Sequence, residues 1–237
     1  MERNISPLDD KKDLFLVKRR KMSIKFPCLD DALDDPNGLL AIGGDLSEKR
    51  LISAYQQGIF PWFNHGQPIL WWSPNPRCVL LPNTIHVSRS LKKKINSNIF
   101  RITYNKEFKN VIHECSINRK DDDTWLTSSM QDAYIRLHEI GYAHSIECWA
   151  HEKLVGGLYG IAMGKVFFGE SMYSRVSDAS KIILASLMDR LALMDFQLLD
   201  CQVESNHLKS LGARLIPREK FSCVLKEYCN LTKSIFP

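Results

Sequence analysis

Asp200, Cys201 and Gln202 stand in the run Leu198-Leu199-Asp200-Cys201-Gln202-Val203, which reads as a short buried strand. Strand alternation puts Asp200 and Gln202 on one face and turns Cys201 to the other. A glutamine carbonyl can accept a hydrogen bond from an amine and orient it, and a neighbouring carboxylate can polarise that glutamine and help carry a proton. The same pair could instead serve structure, with Asp200 capping a neighbouring element and Gln202 satisfying a strand end. Glu170 is a further candidate, because the residues before it, Val166 to Gly169, are apolar or small. A carboxylate there is costly to bury unless it meets a cation or strong donors. That cation could be an amine brought by a ligand, or Arg175 or Lys181 of the chain itself.

The elements that must position these groups follow from periodicity and punctuation. Asp45 or Ser47 can cap a helix over Glu48–Gln57, closed by Gly58. Cys78–Leu81 reads as a strand, Ser88–Ser97 as a basic helix, Phe100–Tyr104 as a strand and Lys106–Cys115 as a helix. Ser128–Ile140 is a helix stopped by Gly141, and Ala143–Ala150 a strand. Leu154–Ile161 and Val166–Ser171 make a hairpin around Met163-Gly164-Lys165. Ser177 or Asp178 can cap a long helix to Met194, whose Ile182, Ile183, Leu187, Leu191 and Met194 recur at helical spacing. A helical turn, Asn206–Leu211, and a last helix, Arg218–Tyr228, close the chain. The order predicts an α/β (α+β) domain on a mixed sheet with helices on its faces. A small N-terminal domain, 26–77, precedes the main domain, 78–237, and residues 1–25 form a basic, loosely ordered extension.

Of the 237 residues, 44% are hydrophobic and 25% charged, ample for a globular core and against disordered or collagen-like classes. The net charge is +5, but it is unevenly spread. Residues 11–25 hold seven basic side chains against Asp13, and 89–109 hold seven more, among them Lys92, Lys93 and Lys94. Such clusters can bind a phosphate backbone without reading bases, or be solvated faces. The seven cysteines form no C-x-x-C pair and the histidines no metal-ligand spacing, so no metal is expected. An odd cysteine count without an apolar leader fits a reducing cytoplasm, and no run is long enough to span a membrane.

The segment from Val203 to Ala213, with Asn206 opening a short helix before Leu211-Gly212, resembles the closing motif of the GNAT acyltransferase fold. Coenzyme A users of that fold carry a glycine-rich loop at the start of the long helix, where backbone N–H groups cradle pyrophosphate. This chain has Arg175-Val176-Ser177-Asp178-Ala179-Ser180-Lys181, with no glycine and an opposing carboxylate. Four further runs extend the pattern: Gly38 to Leu46 (GLLAIGGDL); Gly58 to Phe63 (GIFPWF) with Trp71-Trp72-Ser73-Pro74; Gly169 to Ser174 (GESMYS) with Ala179-Ser180-Lys181; and Leu199 to Val203 (LDCQV). Together, from about Phe26 to Pro217, they resemble the bacterial leucyl/phenylalanyl-tRNA–protein transferases.

The resemblance implies an N-terminal domain packed on a GNAT-like domain. It implies transfer of Leu or Phe, with Met as a further donor, from aminoacyl-tRNA to a protein beginning with Arg or Lys, which marks that protein for degradation. The aminoacyl ester is already activated, so neither ATP, metal nor any other cofactor is required. Asp200, Gln202 and Glu170 would be the catalytic set. Trp62 and Trp125 would sandwich the terminal adenine, with Tyr55 and Tyr134 nearby. The aminoacyl side chain would enter a slot lined by Leu158, Phe167, Met172, Leu184, Leu187 and Leu199, selecting by apolar size with no polar group to read a hydroxyl. The family commonly carries Met where this chain has Leu158. Lys92, Lys93 and Lys94 would meet tRNA phosphates, and the enzyme is expected to be a cytoplasmic monomer. Two rivals stand beside it: a coenzyme A-dependent N-acetyltransferase, and a non-catalytic module that holds tRNA 3′ ends.

Overall fold

Helix-period apolar residues and a glycine stop make the first helix, and a small sheet forms around it. The computed structural model describes residues 15–17, 25–97, 99–117 and 125–229. Strands β1 (Phe15–Val17) and β2 (Leu39–Gly43) are followed by helix α1 (Glu48–Gln56) and strands β3 (Phe60–Pro61) and β4 (Leu70–Trp72). The sheet order is β1-β2-β4-β3, with β1 parallel to β2 and the other pairs antiparallel. Strand β1 falls in the stretch where the sequence predicts no element; residues 1–14 and 18–24 lie outside the described residues. Helix α1 buries Leu51, Ala54 and Tyr55 on one stripe, and Gly58 turns the chain out of it at φ +74°.

The main sheet begins with β5 (Arg77–Leu80). After it come α2 (Arg89–Ile95), β6 (Phe100–Tyr104), α3 (Phe108–Ile117), α4 (Ser128–Glu139), β7 (Ala143–Ala150), β8 (Lys153–Met163) and β9 (Val166–Ser174). The chain ends in α5 (Ala179–Leu193), β10 (Leu198–Gln202), α6 (Asn206–Ser210), β11 (Arg214–Ile216) and α7 (Arg218–Tyr228). The seven strands run in the order β11-β5-β10-β9-β8-β7-β6, and β9/β10 is the parallel pair. Alternate residues of these strands feed two cores. Phe168, Tyr159 and Leu198 face α3, α4 and the N-terminal module, while Phe167, Leu158 and Leu199 face α5. The first core also contains Leu40, Leu51, Tyr55 and Trp71, so the small sheet and one face of the large sheet share one apolar interior. Among the described residues no helix is long and apolar enough to cross a membrane.

Three irregularities shape the centre of the large sheet. Strands β9 and β10 pair only over Val166–Phe168 and Leu198–Asp200, and β9 then continues to Ser174 paired with β8 on its other side. Between β8 and β9 the register shifts, Tyr159 facing Ser171 and Gly160 facing Gly169, so Glu170 is an extra residue on β9. Between β10 and β5, Asp200 faces Val79 and Gln202 faces Cys78, so Cys201 is the extra residue there. Gly160 makes the first bulge possible, because a Cβ at that position would run into the carbonyl oxygen of Phe168.

Candidate active site

Two bulges side by side bring Glu170 and Gln202 to the gap where β9 and β10 part. The second bulge overturns the expected alternation of Asp200 and Gln202. An inserted residue breaks the period of two, and Gln202 sits at φ +56° instead of in extended backbone. Asp200 is fully buried and receives a forked bond from Arg77, 2.8 Å from Nε to Oδ1 and 2.7 Å from Nη2 to Oδ2. Its Oδ1 also accepts the backbone N–H of Gln202 at 3.0 Å. Asp200 is thus occupied with Arg77 and the Gln202 backbone and makes no bond to the Gln202 side chain. Cys201, expected to point away, contributes to the walls of both cavities at the gap.

Arg77 has no route to water. Its Nη1 donates to the carbonyl of Gly58 at 3.0 Å, and its guanidinium lies between the rings of Phe60 and Phe221, at 5.0 and 4.7 Å. A buried ion pair is tolerable only with this degree of bonding, and loss of one partner leaves an uncompensated charge.

Glu170 is differently held. Oε2 accepts from the Tyr134 hydroxyl at 2.8 Å, which in turn meets the Tyr55 hydroxyl at 2.5 Å, while Oε1 is buried without a partner. Burial pushes the carboxyl up to about 7, the two tyrosine hydroxyls opposing the rise and the Asp200 charge adding to it. Neither basic neighbour expected for it is engaged there: Arg175 pairs with Glu114 and Lys181 with Asp178.

The gap opens into two cavities. A cleft of about 540 Å³ is walled by Phe60, Pro61, Trp62 and Trp125 on one side and by Val203, Glu204 and Ser205 on the other. A narrower slot of about 190 Å³ runs between the parted strands, against Leu158, Gly169, Met172, Leu184 and Leu199. Glu170, Ser171, Met172, Cys201, Gln202 and Ser205 line both. Trp62 is 45% exposed at the rim, where its backbone carbonyl accepts the Trp72 indole N–H at 2.7 Å. The Nε2 atom of Gln202 is buried and unpartnered at the junction.

Several expected residues take other places. Tyr55 and Tyr134 are buried, their rings edge-on to Phe168 and Tyr159, so neither offers a face to a base. Phe167 and Leu187 are buried in the α5-side core and do not line the slot. The slot is also not purely apolar. Ser205 and His207 reach it, and His207 Nε2 is buried without a partner, with burial lowering the ring's pKa. Among the phosphate candidates, Lys92 and Lys93 are exposed on α2, but Lys94 is paired with Asp178. That aspartate is the N-cap of α5, in left-handed backbone and bonded to Lys94 and Lys181. Its carboxylate makes no bond to the helix N–H groups, but its negative charge at that helix end opposes a coenzyme A pyrophosphate. Among the described residues no three His, Cys, Asp or Glu side chains form a metal cluster.

Comparison with known proteins bears on what this junction is. A family model described as leucyl/phenylalanyl-tRNA protein transferase matches residues 79–226, and the model of that family's N-terminal domain matches residues 44–75. Proteins named leucyl/phenylalanyl-tRNA–protein transferase from Stutzerimonas stutzeri and Nitrosospira multiformis are 54% and 56% identical to the chain. The alignments cover 86% of this chain in both cases, and 90% and 89% of those proteins. The chain belongs to the leucyl/phenylalanyl-tRNA–protein transferase family. The two matched units divide the site between them: Trp62 lies in the first, and Trp125, Glu170, Asp200 and Gln202 in the second. Arg77 falls in the short stretch between the two transferase models. Among solved structures, a GCN5-related N-acetyltransferase from Kribbella flavida is 10% identical with a TM-score of 0.40, covering 69% of this chain and 58% of that one.

Sequence reasoning missed Arg77, the Tyr134–Glu170 bond and the slot-facing His207. The arginine had a signal in its neighbours, since a lone basic residue opening an apolar strand demands a buried partner. The other two depend on tertiary contacts with no local trace.

Proposed function

We propose that this chain transfers Leu or Phe from an aminoacyl-tRNA to the N-terminal Arg or Lys of acceptor proteins, marking them for degradation, and that it does so as a cytoplasmic monomer. The observation that carries the proposal is the junction at Gln202, where a wide cleft with indole walls meets a narrow, mainly apolar slot. An aminoacyl ester at the 3′ end of tRNA has that shape: a planar base, a ribose, and a side chain leaving at an angle. Trp62 and Trp125 flank the adenine, and the aminoacyl side chain enters the slot against Leu158, Met172, Leu184 and Leu199. The ester carbon then lies beside Gln202. Its side-chain carbonyl orients the acceptor amine, and its unpartnered amide N–H donates to the ester oxygen as negative charge develops there. Arg77 and Asp200 act one step behind, holding the left-handed backbone that aims this side chain. Lys92 and Lys93 supply charge for the phosphate backbone.

The test is direct. Incubation with radiolabelled Leu-tRNA or Phe-tRNA and a peptide beginning with Arg should give labelled peptide. Retention of the tRNA without labelled peptide would reduce the protein to a 3′-end binding module, and label from acetyl-coenzyme A in place of tRNA would make it an acetyltransferase.

A further inference from the structure

The hydroxyl pair behind Glu170 is more ordered than packing requires. Tyr134 has a single O–H, and it is spent on Glu170 Oε2. The 2.5 Å contact between the two hydroxyls therefore has Tyr55 donating to Tyr134. The relay runs from α1 through α4 to the bulge of β9, and the Tyr55 hydroxyl also bears on the Glu170 carboxylate. The other oxygen, Oε1, has no partner, and Glu170 lines both cavities beside Gln202.

We infer that Tyr55 and Tyr134 are positioning residues that tie down Oε2 of Glu170 so that Oε1 takes the proton from the acceptor's N-terminal ammonium. This rests on the aminoacyl-transfer function proposed above. The balance is simple. The ammonium gives one proton to the Glu170 carboxylate, and the resulting amine attacks the ester carbonyl. A C–N bond forms and the bond from the carbonyl carbon to the ribose 3′ oxygen breaks. The amine's second proton ends on that oxygen, and Glu170 returns its own to solvent.

The surroundings suit the task. Burial pushes both tyrosines well above their ordinary range, so they stay protonated donors and do not compete for the proton. Glu170 itself, pushed up to about 7 by burial, changes state where a general base is most effective. The other charged groups facing it are Asp200 of β10, which raises it, and Arg77 of β5, which lowers it. They oppose one another and form a closed pair.

The experiment is the pH dependence of transfer at saturating Leu-tRNA and Arg-peptide. Wild type should lose rate on the acid side with a midpoint near 7. Tyr134→Phe removes a hydrogen bond to the charged form, and its midpoint should rise by about one pH unit. Tyr55→Phe should shift it in the same direction, and it carries the test if Tyr134→Phe fails to fold. Glu170→Gln should lower the rate and leave only the limb set by the acceptor amine, which a further Tyr134→Phe change should not move. The acceptor amine titrates in the same range, but it is common to all variants, so the shifts between them decide. Rates that fall by one factor at every pH in both tyrosine variants would leave the pair a packing role only and overturn the inference. So would a Glu170→Gln variant that keeps the wild-type rate and midpoint. Wild type without transfer at any pH would overturn the aminoacyl-transfer function together with this inference, whereas transfer with unshifted midpoints overturns the inference alone.

Discussion

The two bulges of the central sheet carry carboxylates in opposite conditions. At the β10 bulge, Asp200 has both oxygens filled by Arg77 and the Gln202 N–H. At the β9 bulge, Glu170 has one oxygen bonded and one bare. Both are buried. The first is a finished structural joint, and the second is left open at a cost that folding elsewhere must offset. A buried acid that is fully bonded builds; one that is half bonded is available to react.

Breaking the finished joint should have the largest effect. Arg77→Ala strands a buried charge and should cost about 3–5 kcal/mol of stability, read by urea denaturation. The sharper version is the double change Arg77→Met with Asp200→Leu. It should recover much of that stability without recovering transfer, because the Gln202 N–H has lost its acceptor. Recovery of both would show that the pair does not aim Gln202.

Gln202→Ala should lower transfer by roughly 10²–10³-fold while leaving stability and Leu-tRNA binding nearly intact. Equal turnover would remove Gln202 from the chemistry.

At the open joint the effect should depend on pH. Glu170 titrates near 4.5 when unfolded and near 7 when folded. Its folded state is therefore favoured by protonation, and stability is lost as pH rises through 7. Glu170→Gln should then be more stable than wild type at pH 8, by roughly 3 kcal/mol, with the gain disappearing towards pH 4.5. Denaturant midpoints at the two pH values give the comparison, and a gain independent of pH would show that Glu170 is not held near neutrality.

The smallest effect belongs to the surface. Neutralising Lys92 and Lys93 should flatten the salt dependence of tRNA binding by a slope of about one to two, for all tRNAs alike. Lys94, already paired with Asp178, should contribute less. A larger change from Lys94→Ala than from the other two would reverse that assignment.

Helix and strand positions were legible because periodicity and glycine stops are local signals: Phe100–Tyr104, Ala143–Ala150 and Arg218–Tyr228 match the expected bounds. The face shared by Asp200 and Gln202 was not, because a bulge changes the period without changing the residue types. Gly160 and Gly169 hinted only at the neighbouring bulge of β9, and β10 carries no glycine of its own. The rings of Tyr55 and Tyr134 look as free in sequence as that of Trp62, and only packing buries the first two. Donor choice is less simple than an apolar slot predicts. With His207 and Ser205 in its wall, size alone does not describe what the slot can admit.

Arg77 reaches backwards to the Gly58 carbonyl and the Phe60 ring, and forwards to Asp200, more than a hundred residues later. It works as an interlock. While the small sheet is undocked, the arginine has nothing to brace it, Asp200 is unpaired, and the backbone that aims Gln202 has no reason to hold its shape. On the function proposed above, trimming either half away should abolish transfer and not merely slow it. On that same function, a chain emerging from the ribosome, or one partly unfolded by heat, is expected to stay chemically silent until both halves have closed on the same guanidinium.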